Sequence, residues 1–171
     1  MSDVYCPRTR VCLVPLLLIL FSVAGPSWAL ETGDPAPAFS LPRLGEDTPL
    51  ALADLRGRIV YLDFWASWCG PCRKSLPLYE EMQAGFPSSR VRIIAINLDE
   101  DRKDALRFLE SHPVSYPILL DPEGVTASQW QIRVMPSSYL LDTDGTIVKA
   151  WAGFELSHIE EIENEIRALL H

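Results

Sequence analysis

Residues 59 to 65 of this chain read Ile-Val-Tyr-Leu-Asp-Phe-Trp, a β-branched and aromatic run broken only by Asp63. Two cysteines follow it, Cys69 and Cys72, separated by Gly70 and Pro71. With so little polar alternation, the run predicts a strand covered on both faces rather than one with a wet side. After Cys72 come residues that favour helix, among them Lys74, Leu76, Leu78, Glu80, Glu81 and Met82, so Cys69 falls at a strand-to-helix junction. Free backbone N–H groups and the positive end of the helix dipole stabilise a thiolate there, and the thiolate is the form that attacks disulfides. Cys72, one turn on, is near enough to close a disulfide with Cys69 but is covered by the helix. Cys69 is therefore the expected nucleophile and Cys72 the thiol that resolves a mixed disulfide.

The second strand signal is Val-Arg-Ile-Ile-Ala-Ile-Asn at 91 to 97, after a break through Gly85, Pro87 and Ser88. Strand, helix, strand is a parallel crossover and implies an α/β sheet. Beyond it, Asp101 is placed to cap a helix that ends before Pro113, Ile118 to Leu120 is a short strand, and 124 to 131 a helix. Runs at 137–142 and 146–151 form a hairpin through Thr143, Asp144 and Gly145. Asp142 and Asp144 lack the remaining ligands of a calcium loop and predict an ordinary turn. Ser157 and Glu160 have the spacing of a capping box for a last helix carrying Ile159, Ile162, Ile166, Leu169 and Leu170 on one face.

Composition bounds the function. The chain has 171 residues, 48% of them apolar, enough for the core of one domain, and a formal net charge of -8 that argues against nucleic acid and anionic membrane surfaces as partners. Arg8 and Arg10 precede an apolar run from 11 to 24, followed by small residues to Ala29. This predicts a signal peptide over 1–29, with an uncleaved anchor as the alternative, and a single domain over 30–171 exported to the periplasm or beyond. Cleavage would also remove Cys6 and Cys12, leaving one cysteine pair. So small a loop removes little unfolded-state entropy, so the pair is better explained by chemistry than by stapling. No second Cys or His pair completes a zinc site, and no metal is expected.

Trp65-Ala66-Ser67-Trp68-Cys69-Gly70-Pro71-Cys72, with Pro77 beyond it, resembles the active site of thioredoxin, and the surrounding chain resembles the exported TlpA/ResA/DsbE-type reductases. The lead-in Gly33-Asp34-Pro35-Ala36-Pro37-Ala38-Phe39 resembles the redoxin branch that includes peroxiredoxins. The resemblance implies a thioredoxin-like fold, a central mixed sheet flanked by helices, with a helix and strand inserted over 101–120. It also implies a cis peptide at Pro136, with Met135 offering its backbone to an extended substrate and Trp68, Gly70 and Pro71 lining the approach. Asp63 matches the buried aspartate of thioredoxin and is the expected proton acceptor. Glu100 falls where the TlpA/ResA relatives carry a glutamate and is expected to tune or share that role.

The activity implied is disulfide exchange without a bound cofactor. It would be performed by a monomer on client proteins bearing disulfides or thiols, with electrons from a membrane thiol donor and clients in cytochrome c or copper-oxidase maturation. Two alternatives remain open at this point: a copper chaperone using the cysteine pair as soft ligands, and a thiol peroxidase.

Overall fold

The computed structural model describes residues 30–171; the predicted signal peptide lies outside the described residues. In chain order the elements are strands β1 (Ser40–Leu41) and β2 (Leu50–Ala51), a 3₁₀ turn (Leu52–Leu55), β3 (Ile59–Trp65), helix α1 (Cys72–Ala84) and β4 (Val91–Asn97). They continue with α2 (Arg102–Ser111), β5 (Ile118–Leu120), α3 (Val125–Gln129), β6 (Ser137–Leu141), β7 (Ile147–Ala152) and α4 (Ser157–Leu170). The five-stranded sheet has the order β5-β4-β3-β6-β7. β3 is parallel to β4 and antiparallel to β6, so the sheet is mixed and the cysteine-bearing loop leaves its central strand.

The apolar run of β3 is buried at all seven positions, and its alternation serves two cores. Ile59, Tyr61 and Trp65 face a cluster with Leu76, Tyr79 and Met82 of α1, Phe108 of α2, and Ile162 and Ile166 of α4. Val60, Leu62 and Phe64 face the opposite cluster, with Phe39, Leu41, Leu52, Leu55, Trp130 and Tyr139. The period of two along a strand sends successive side chains to opposite layers, which is why this strand carries no polar side. The lead-in is pinned as its apolar residues predict: Phe39 and Leu41 are buried, and β1 pairs with β2. The inserted α2 and β5 occupy 102–120, with β5 forming the sheet edge beside β4.

Asp101 caps α2 as expected, accepting the N–H of Lys103 at 2.9 Å. Asp142 builds the hairpin turn by accepting from the N–H groups of Asp144 and Thr146. Two expectations require correction. Helix α3 stops at Gln129 because the chain turns into the left-handed region at Gln131, φ 55°. Ser157 and Glu160 form no capping box: Leu156 is already helical (φ -61°, ψ -33°), so Ser157 lies inside α4, and no side chain caps its start. The acids that matter on α4 are Glu161, which accepts from Trp151 Nε1 at 2.9 Å, and Glu165, which pairs with Lys149 at 2.9 Å; both tie the helix to β7.

Candidate active site

β3 ends at Trp65, and the turn that follows delivers Cys69 to the N-terminus of α1, whose first residue is Cys72. The two are joined in a disulfide with Cα atoms 5.3 Å apart. Pro71 at the cap position has no side chain that could accept a hydrogen bond, and no acid stands in the first turn. The acceptor is instead sulfur: Cys69 Sγ takes the backbone N–H of Cys72 at 3.3 Å. On reduction the same N–H and the helix dipole face the Cys69 sulfur, which favours its thiolate. Cys72 is fully buried, whereas Cys69, 4% exposed, lines an open groove of about 390 Å³.

Trp68, Gly70, Pro71 and Met135 line that groove with Cys69, and Trp68 is 67% exposed, an apolar edge beside the disulfide. The Met135–Pro136 peptide is cis. Pro136 itself is buried and is not among the groove-lining residues, and its carbonyl accepts the N–H of Gly153 at 2.8 Å. Trp65 packs in the core at 5.0 Å from Phe108. The Arg73 guanidinium lies 5.9 Å from the centroid of the Phe108 ring.

Asp63 is fully buried at mid-strand, between Ala95 of β4 and Ser138 of β6. Alternation along β3 puts it on the face of Tyr61 and Trp65, which is the face of Cys72 and α1. Neither carboxyl oxygen has a hydrogen-bond partner among the described residues. Removal from water, uncompensated by any donor, holds its pKa well above the usual carboxylate range. Its field helps to push the pKa values of the surrounding phenols up as well, Tyr61, Tyr79 and Tyr116, although burial is the larger cause for each.

Glu100 is exposed in the loop after β4. The acid that turns inward is its neighbour Asp99. Asn97 sets this geometry by donating Nδ2–H to Asp99 at 2.8 Å and accepting the Asp99 N–H at 3.1 Å. The Asp99 carboxylate then takes the N–H of Ser67 at 3.0 Å and its hydroxyl at 2.9 Å, which ties the turn before Trp68 and Cys69 to the end of β4. Asp99 was not singled out from sequence. The one available signal was an Asn-x-Asp spacing at a strand end, a common local hydrogen-bonding pattern.

A reversible dithiol at the start of a helix, reached through an open groove and backed by a buried acid on a mixed sheet, defines the class: this is a thiol-disulfide oxidoreductase with a thioredoxin-like fold. The comparisons place it more narrowly. The chain belongs to the AhpC/TSA family, whose model matches residues 32–150. It is similar to the thiol-disulfide oxidoreductase ResA of Bacillus subtilis (strain 168), 30% identical over 153 residues covering 85% of this chain and 83% of the relative. It is also similar to the thioredoxin-like protein YneN of the same organism, 32% identical over 121 residues and 69% of each chain. Among solved structures, one from Chlorobium tepidum assigned as the thiol:disulfide interchange protein DsbE superimposes with a TM-score of 0.79 at 40% identity. That match covers 84% of this chain and all of the other.

Proposed function

We propose that the protein is an exported disulfide reductase that passes two electrons from Cys69 and Cys72 to disulfides of client proteins. The observation that carries this reading is the asymmetry of the pair: Cys69 opens to a groove and takes a helix-terminal N–H, while Cys72 is sealed behind it on the side of Asp63. The Cys69 thiolate attacks one sulfur of the client disulfide, forming a Cys69–client disulfide and releasing the other client sulfur as a thiolate. Asp63 accepts the proton of Cys72. The Cys72 thiolate then attacks Cys69 Sγ, closing the Cys69–Cys72 disulfide and releasing the second client thiolate. A dithiol donor at the membrane returns the pair to its reduced state by the same exchange in reverse.

Gly70 and Pro71 between the cysteines support a reducing poise, since the same pairing occurs in thioredoxin, which lies near about -270 mV against about -120 mV for the oxidant DsbA. The predicted signal peptide supports export, and the likeness to the thiol-disulfide oxidoreductase ResA and the interchange protein DsbE supports exchange with protein disulfides, among which we propose those of cytochrome c or copper-oxidase maturation. Met135 would present its backbone to an extended client segment, with Trp68 as the apolar rim. Glu100, exposed in the loop after β4, is assigned at most the tuning of that proton step.

Insulin reduction driven by dithiothreitol tests the reading. The wild-type protein is expected to turn over, Cys69→Ser to be inactive, and Cys72→Ser to accumulate the mixed disulfide. A reduction potential near that of DsbA would reverse the assigned direction. The AhpC/TSA match favours one second reading, thiol peroxidase; rapid peroxide consumption by the reduced protein with no insulin reduction would select it.

A further inference from the structure

The groove beside Cys69 is apolar with one exception. Arg133 is the only charged residue among those that line it; the rest include Trp68, Leu98, Ile132, Val134 and Met135. Arg133 is exposed, and among the described residues it makes no ion pair, unlike Arg43, Arg107, Lys149 and Arg167. Together with Ile132 it also lines an adjoining cavity of about 600 Å³ that carries Ser128, Gln129 and Gln131. Arg133 therefore stands where the cleft at the disulfide meets a second one, to which Ser128, Gln129 and Gln131 bring polar side chains.

Resting on the reading of this groove as the client site, we propose that Arg133 is a specificity determinant. It selects client segments that carry a carboxylate close to the reactive cysteine. A segment lying in the groove covers the guanidinium and strips part of its hydration, and a neutral segment offers nothing in return. A client Asp or Glu restores the loss through a charge-assisted, bidentate contact, for which the planar guanidinium is suited; a client Lys or Arg adds repulsion to desolvation. The net charge of -8 does not cancel this preference. Charges farther away than about 8 Å are largely screened at physiological salt, whereas a contact inside a covered cleft is not.

The test uses reduced protein and a set of short peptides, each with one cysteine capped as a mixed disulfide with 2-mercaptoethanol. Asp, Ser or Lys is placed in turn at each of the three positions on either side. Each reaction consumes one reduced protein, oxidising Cys69 and Cys72 to their disulfide and freeing the peptide cysteine and mercaptoethanol as thiols, so rates are read in a single turnover with peptide in excess. At one or more positions the Asp peptide is expected to react about tenfold more efficiently than the Lys peptide. The difference should lie in the half-saturating peptide concentration and persist at physiological salt. Arg133→Glu should invert the ratio and Arg133→Gln bring it near one, with each variant's rates normalised to its own Ser peptide. Equal rates for Asp and Lys at every position, or a preference that survives in Arg133→Glu, would overturn the proposal while leaving the reductase reading intact. Failure of the wild type to reduce even the Ser peptides would overturn both.

Discussion

Asp63 is the residue at which stability and chemistry pull against each other. A carboxyl group sealed in a sheet without a donor is tolerated when neutral and costly when charged, so folding raises its pKa above that of the unfolded chain. The linkage follows from that direction. The folded state binds the proton more tightly, so this contribution to stability is fully present below the unfolded value of 3.8 and is lost as pH rises through the folded pKa. In urea titrations of the oxidised protein, Asp63→Asn is expected to match wild type near pH 4 and to become progressively more stable than it as pH rises. A constant difference at all pH values would contradict this. If Asp63 is the proposed proton acceptor for Cys72, the same substitution should slow resolution of the mixed disulfide by on the order of a hundredfold at neutral pH. Asp99 is the opposite case, a buried acid with every neighbouring donor satisfied. Asp99→Ala strands the Ser67 N–H and the Asn97 amide, each at a cost of about 1–3 kcal/mol, and should lower the denaturation midpoint.

At the scale of elements, the sheet holds the site through its connections. β3 leads into the cysteine turn, β4 ends at the Asn97–Asp99 latch on that turn, and the segment before β6 supplies Met135 to the groove. The hairpin of β6 and β7 depends on a close approach at its tip. Gly145 has φ 73°, and a Cβ there would lie 2.6 Å from a guanidinium nitrogen of Arg56. Gly145→Ala therefore combines backbone strain with displacement of Arg56, and is expected to destabilise the fold by about 1–2 kcal/mol, read by chemical denaturation. Activity at saturating client should persist, since the tip joins the hairpin and takes no part in lining the groove.

For the molecule as a whole, the decisive feature is that one strand belongs to both cores. Trp65 is buried in the layer of α1 and α4, Trp130 in the layer of the lead-in and α3, and β3 lies between them with side chains in each. Neither layer retains its packing surface once β3 is lost, so unfolding is expected to be a single cooperative transition. A Trp130→Phe protein, whose buried reporters Trp65 and Trp151 lie in the layer of α1 and α4, and a Trp65→Phe/Trp151→Phe protein, whose buried reporter is Trp130, should each show fluorescence and far-ultraviolet dichroism transitions that coincide. Separated transitions in either would mean that the layers melt independently.

The amino-acid order alone settled the features that depend on neighbours in the chain. The doubly buried strand 59–65, the Cys69-Gly70-Pro71-Cys72 turn into a helix, the cap at Asp101 and the turn around Asp142 all follow from periodicity, backbone preference and side chains that reach their own backbone. The resemblance carried by the same motif extended this to Asp63 and to the cis peptide before Pro136. What only the tertiary structure decided was which of two adjacent acids faces inward. Glu100 and Asp99 differ by one residue, and a loop has no period from which to read direction. The choice was made by Asn97 at the end of β4 and Ser67 across the sheet, residues brought together by strand pairing. The isolation of Arg133 in an apolar groove has the same origin, because the walls come from the cysteine turn, the end of β4 and the segment before β6, which are distant in sequence and meet only when the sheet is assembled.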